Sequence, residues 1–105
     1  MIVARVQFPV NVVDKEDFIK KMAATTPKYE GLAGLTRKYY VMTDEGKNAG
    51  GIYLWKSKAQ AEAWYNDDWL QYMPEAWGEP PLIEYLDCPI VVDNELAKVV
   101  TKDAA

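Results

Sequence analysis

Residues 35–56 read LTRKYYVM, TDEGKN, AGGIYLWK, two strand-like runs joined by a polar turn rich in Asp, Gly and Asn. Both sides of both strands are apolar or aromatic. Leu35, Tyr39 and Val41 stand against Tyr40 and Met42 in the first strand, and Ile52 and Leu54 against Tyr53 and Trp55 in the second. A sheet with this pattern must be covered on each face. That requirement limits the folds open to the chain more than any other feature.

The flanking segments supply cover for one face. IVARVQFPV alternates Ile2, Ala4, Val6 and Phe8 against Val3, Arg5 and Gln7, which predicts a strand ending at Pro9. In VVDKEDFIKKMAATTP, Asp14 is an N-cap and Val13 with Phe18 fits a hydrophobic staple. Phe18, Ile19, Met22 and Ala23 make the apolar face, and Pro27 stops the helix. Ser57 and Gln60 form a capping box before AQAEAWY. NDDWLQYMP reads as a break and one or two further turns, with Pro74 and the GEPP stretch at 78–81 ending that region. LIEYLDCPI is a fourth strand closed by Pro89. The predicted order is β-α-β-β-α-β, an α+β ferredoxin-like unit over 1–89 with an antiparallel sheet and both helices on one face. Residues 90–105 are expected to form an arm or tail reaching a partner subunit. The economical cover for the second face is another copy of the chain, so a homodimer is expected.

Pairing Met42 with Ala49 places Tyr40 opposite Gly51, Lys38 opposite Tyr53 and Thr36 opposite Trp55. Lys38, Tyr40, Tyr53 and Trp55 then share one face, and Gly51 leaves room beside Tyr40. One cation and two phenols on an apolar wall suit a small aromatic or quinone ligand. Lys38, desolvated among rings, is also a candidate base. The same pattern describes rings packed as core or dimer contacts, with Lys38 reaching to water. Trp64 and Trp69 extend the aromatic surface, and Met22 on the first helix is counted with the lining. Cys88, Asp67-Asp68 and Asp44-Glu45 read as packing or capping residues rather than as nucleophile or metal ligands. Asn11 reads as a turn residue, and Arg5 as an ion pair, a rim residue or a ligand anchor.

Composition narrows the chemistry. The 105 residues include no histidine, which removes Ser-His-Asp and Cys-His centres, histidine-ligated haem and most zinc sites. A net charge of −4 without a basic stripe disfavours nucleic acid and anionic membrane as partners. A single cysteine and no apolar run of spanning length point to the cytoplasm.

Gly34-Leu35, Lys38, Tyr40, the acidic turn, AGGIYLW at 49–55 and AEAWY at 61–65 together resemble the YdhR-type monooxygenases of the dimeric α/β-barrel superfamily, alongside the antibiotic-biosynthesis monooxygenases. The resemblance covers most of residues 1–95. It implies a barrel-forming dimer, a pocket between sheet and helices, and oxygenation of an electron-rich aromatic with no cofactor and no metal. On that basis Lys38 would stabilise an oxyanion, Tyr40 or Tyr53 would relay a proton, and Trp55, Trp64 and Trp69 would sandwich the ring. A non-catalytic dimeric carrier with the same pocket is the rival expectation, and a purely structural dimer a third.

Overall fold

The computed structural model describes residues 1–101. Its elements are β1 (Ile2–Pro9), α1 (Lys15–Ala23), a 3-10 turn (Thr26–Lys28), β2 (Leu35–Met42), β3 (Asn48–Trp55), α2 (Lys58–Trp64), α3 (Asp67–Trp77), β4 (Leu82–Asp87), β5 (Ile90–Asp93) and β6 (Lys98–Thr101). The first four strands form one antiparallel sheet in the order β2-β3-β1-β4, which is the ferredoxin-like arrangement. β5 and β6 pair only with each other. The end of the expected arm, 102–105, lies outside the described residues. Among those described, no helix is long and apolar enough to cross a membrane.

The helix starts follow from capping. Asp14 accepts hydrogen bonds from the backbone N–H groups of Glu16 (3.0 Å) and Asp17 (3.3 Å). Ser57 accepts from Gln60 N–H at 3.2 Å and its hydroxyl donates to the Gln60 side chain at 3.0 Å. Asn66 caps α3 by accepting from Trp69 N–H at 3.0 Å. Two local expectations are corrected. Val13 is 91% exposed, so no staple forms, and Phe18 packs instead against the edge of Trp77, centroids 5.6 Å apart. Of Pro74 and the 78–81 stretch, only the second ends the helix; α3 runs through Pro74 to Trp77 and stops at Gly78 (φ +98°), whose N–H donates to the Pro74 carbonyl. An interior proline costs about 3 kcal/mol. The last turn survives because Trp77 is held between Phe8 and Phe18, each 5.6 Å away.

The core lies between the sheet and the helices. Ala4, Val6, Phe8, Ala49, Tyr53 and Trp55 project from β1 and β3 to meet Ala61, Tyr65, Trp69 and Met73. The opposite sheet face is uncovered in the single chain. Tyr39 is 53% exposed there, Leu82 78%, and Val41 and Leu86 are also exposed. Arg5 crosses that face to Glu84 at 3.9 Å and donates to Gln7 at 3.1 Å.

The β2–β3 register is Met42 to Ala49, Tyr40 to Gly51 and Lys38 to Tyr53, as the pattern predicts. It slips at Thr36, where a bulge brings Leu35 rather than Thr36 opposite Trp55. The slip turns the polar Thr36 outward and puts an apolar side chain against the core. At Gly50, a Cβ would stand 1.8 Å from the Val6 carbonyl oxygen, so β3 and β1 lie too close there for any side chain. Gly50→Ala is expected to lower the unfolding free energy by about 2–3 kcal/mol, read as a lower urea midpoint. An unchanged midpoint would contradict the close approach.

Candidate functional site

A hollow opens between the inner face of β2–β3 and the α1, 3-10 and α3 segments. Strand alternation sends Lys38 and Tyr40 inward from β2 and Gly51 and Tyr53 inward from β3. Met22 from α1 and Trp69, Met73 and Trp77 from α3 close the far side. Gly51 has a specific steric role. A Cβ there would lie 2.8 Å from the Tyr53 ring and 3.1 Å from Lys38 Cε, so its absence lets the lysine stem lie across the strand.

The Lys38 ammonium rests on three aromatic faces, 3.5 Å from the Tyr29 centroid, 3.8 Å from Tyr40 and 4.7 Å from Tyr53. No carboxylate lies within ion-pair distance of it among the described residues. Burial, and after it the charge of Lys28, pushes its pKa down to about 7. The ring faces work in the other direction by favouring the cation. The tyrosines are shifted the opposite way. Burial drives the Tyr53 and Tyr65 phenols far above their ordinary value and raises Tyr40 as well. At neutral pH the phenols therefore remain protonated, while Lys38 alone of this group stands near its point of titration.

The hydroxyl hydrogens can be assigned by counting. Thr25 donates its single hydroxyl hydrogen to the Met22 carbonyl at 2.7 Å. Its 2.7 Å contact with Tyr40 must then be a donation from the phenol, leaving the Tyr40 oxygen as an acceptor. Tyr53 donates to the Tyr29 oxygen at 3.4 Å, which leaves the Tyr29 hydrogen available. The Trp69 indole N–H is buried without a partner among the described residues, as is that of Trp64.

The structure places Lys38, Tyr40, Tyr53, Gly51, Met22 and Trp69 around the hollow, while Trp55 and Trp64 lie outside its lining. Trp55 is 1% exposed, stacks on Tyr53 at 6.2 Å and donates to the Tyr65 oxygen at 3.1 Å. It forms the wall behind Tyr53. Trp64 packs on the Tyr29 ring at 5.3 Å. Sequence reasoning missed Thr25, Lys28, Tyr29 and Tyr72. Tyr29 offered one signal, a large ring in an otherwise polar loop two residues past Pro27.

The hollow itself is small, about 40 Å³, enough for a few waters and well short of a ring. It continues into two open grooves of about 330 Å³ beside β2, one sharing Tyr29, Tyr40 and Lys38 with it and the other Met22 and Tyr40. The lightest restraint at the mouth is the exposed pair Lys28 and Tyr72, with the ammonium 4.0 Å from the ring centroid. A ring enters the hollow past that pair only by displacing it. No cluster of three metal-ligating side chains occurs among the described residues.

Comparison with known proteins follows from this geometry. The family model described as putative mono-oxygenase ydhR matches residues 3–76. No curated protein matches the chain. Among solved structures, NE2512 from Nitrosomonas europaea, a protein of unknown function, superposes with TM-score 0.65 at 15% identity, covering 83% of this chain and 87% of that one. The ActVA-Orf6 monooxygenase of Streptomyces coelicolor, in complex with nanaomycin D, gives TM-score 0.63 at 18% identity, covering 83% and 86%. An antibiotic biosynthesis monooxygenase described as putative, from Bordetella bronchiseptica, gives 0.59 at 14%, covering 83% and 96%. These likenesses show the shared fold.

The depressed Lys38 pKa makes a stability prediction. Between about 7 and the ordinary lysine value near ~10.4 the unfolded chain holds more proton than the folded one, so stability rises with pH across that window. The buried phenols act in the opposite sense only above about pH 10. Wild-type protein is expected to gain about 1–3 kcal/mol between pH 6.5 and 9.5, after the ring contacts are set against burial. Lys38→Met should flatten the profile in parallel urea titrations, and an equal slope in both proteins would contradict the assignment.

Proposed function

Because the chain belongs to the putative mono-oxygenase ydhR family, we propose that it oxygenates a small phenol- or hydroquinone-like aromatic in the hollow beside Lys38, with the substrate rather than a metal or flavin reducing O₂. The observation that carries this reading is the Lys38 amine, buried against three rings and poised near neutrality. A neutral amine there takes the proton of a substrate hydroxyl. The ammonium so formed then stays beside the phenolate, where low dielectric strengthens the attraction. An electron-rich phenolate can pass electrons to O₂ itself. For a phenol the balance is phenol + O₂ → p-quinone + H₂O, with one oxygen atom entering the ring and the other leaving as water.

Tyr29 and Tyr40 are assigned complementary tasks. The free hydrogen of Tyr29 donates to a developing oxyanion, and the Tyr40 oxygen accepts from a substrate hydroxyl. Closure of Tyr72 and Lys28 over the ring would exclude water from the reduced oxygen species. That the ActVA-Orf6 monooxygenase holds the ligand nanaomycin D supports small-molecule binding here.

The proposed assembly is a homodimer in the cytoplasm, with the β5–β6 hairpin as an arm. It is supported by the exposed Tyr39, Val41, Leu82 and Leu86 on the outer sheet face and by Ile90, Val92 and Val99 on the β5–β6 hairpin. A stable pairing would bury at least about 1,200 Å².

Oxygen consumption with a panel of hydroquinones and naphthols, in metal-free and flavin-free buffer, tests the chemistry. Uptake is expected, with Lys38→Met lowering kcat by about 10²–10³ while the variant remains folded. Binding without uptake would leave a carrier, and unchanged turnover in the variant would remove Lys38 from the mechanism. Light scattering after size exclusion is expected to give twice the chain mass at micromolar concentration.

A further inference from the structure

The hollow and its mouth hold two cations and no anion. Lys38 sits inside, Lys28 stands at the rim over Tyr72, and among the described residues no aspartate or glutamate lines the cavity. The remaining polar lining is also biased toward donation. The Tyr29 hydrogen is uncommitted once Tyr53 has donated to its oxygen, and the buried Trp69 indole N–H has no partner among the described residues. A buried donor left without an acceptor costs roughly 1–3 kcal/mol. Two ammonium groups near one apolar space repel each other, and Lys28 is one of the causes acting on Lys38. The two ammonium groups would be relieved by one thing, a negative charge carried on an apolar body.

We infer that the ligand of this site is an aromatic acid, a ring carrying a fixed anionic group such as a carboxylate, held between Lys28 and Lys38. The inference rests on the hollow being the ligand site, and it adds that recognition is by charge as well as by ring shape. The anionic group belongs at the mouth, where Lys28 is exposed, and the ring lies inward against Trp69 and Met73. The groove outside the mouth also carries Glu30 and Arg37, and Arg37 is held by Asp93. The other titratable groups of the hollow are Tyr29, Tyr40, Tyr53 and Tyr72. Burial raises the Tyr40 and Tyr53 phenols, so neither adds a negative charge that would repel the anion.

Calorimetric titration with 2-naphthoate and its neutral isostere 2-naphthamide tests the inference. At pH 6, where Lys38 is protonated, naphthoate is expected to bind at least tenfold more tightly than the amide. Near pH 7.5 naphthoate, unlike the amide, should bind with net proton uptake, visible as a dependence of the measured heat on buffer ionisation enthalpy. Lys28→Glu, at an exposed position, should abolish or reverse the preference for naphthoate over the amide. Equal affinities for the two probes at pH 6, or a preference that survives Lys28→Glu, would overturn the inference and leave the hollow as a ligand site. Failure of both probes to bind would overturn the ligand site and the inference together.

Discussion

Burial of an ammonium group normally brings a carboxylate with it, because an unpaired charge in low dielectric costs several kcal/mol. Here the Lys38 amine is surrounded by the faces of Tyr29, Tyr40 and Tyr53 instead. That substitution determines much of the site. A carboxylate would hold the lysine charged and fix it in one salt bridge. Ring faces compensate only part of the lost hydration, so the group sits where either protonation state is accessible. The glycine at 51 is the steric condition for this arrangement, since any Cβ there would meet both the lysine stem and the Tyr53 ring.

Behind that lysine stands a connected set of aromatic contacts. Tyr53 stacks on Trp55 with planes 9° apart, Trp55 donates to Tyr65, and the Tyr65 ring meets the edge of Trp69 at 4.8 Å. Aromatic pairs of this kind contribute about 0.5–1.5 kcal/mol each beyond burial. Their directional geometry keeps the rings facing Lys38 in fixed orientation. The inner wall is therefore rigid while the mouth, closed by Lys28 and Tyr72 alone, is not. A site with a fixed back and a loose front holds its chemistry steady and admits ligands by side-chain motion.

The sheet was readable in the sequence because strand alternation and the turn at 43–48 suggest a register that the pairs from Met42 to Lys38 follow, which puts Lys38, Tyr40, Gly51 and Tyr53 on a single face. What escaped the sequence depends on contacts between distant segments. Thr25, Lys28 and Tyr29 lie in a loop with no periodicity, and only packing of the 3-10 turn against β2 brings them to the lysine. Trp55 shares the face of Lys38 but is buried under Tyr65, since alternation fixes the side of a sheet and not the depth reached. The helix after Pro74 was obscured for a similar reason. Local propensity opposes it, and the distant Phe8 and Phe18 that hold Trp77 cannot be inferred from neighbouring residues. The bulge at Thr36 likewise answers to the volume of Leu35 in the core.

The C-terminal hairpin is tied to the sheet by the ion pair of Asp93 with Arg37, and the Leu96 N–H, with Arg37 after it, holds that carboxyl below its ordinary pKa. Arg37 and Lys38 are chain neighbours facing opposite sides of β2. A force applied to the hairpin is thus delivered to the peptide unit that carries the buried amine. The hairpin's ion pair and the buried amine are anchored on adjacent residues of one edge strand.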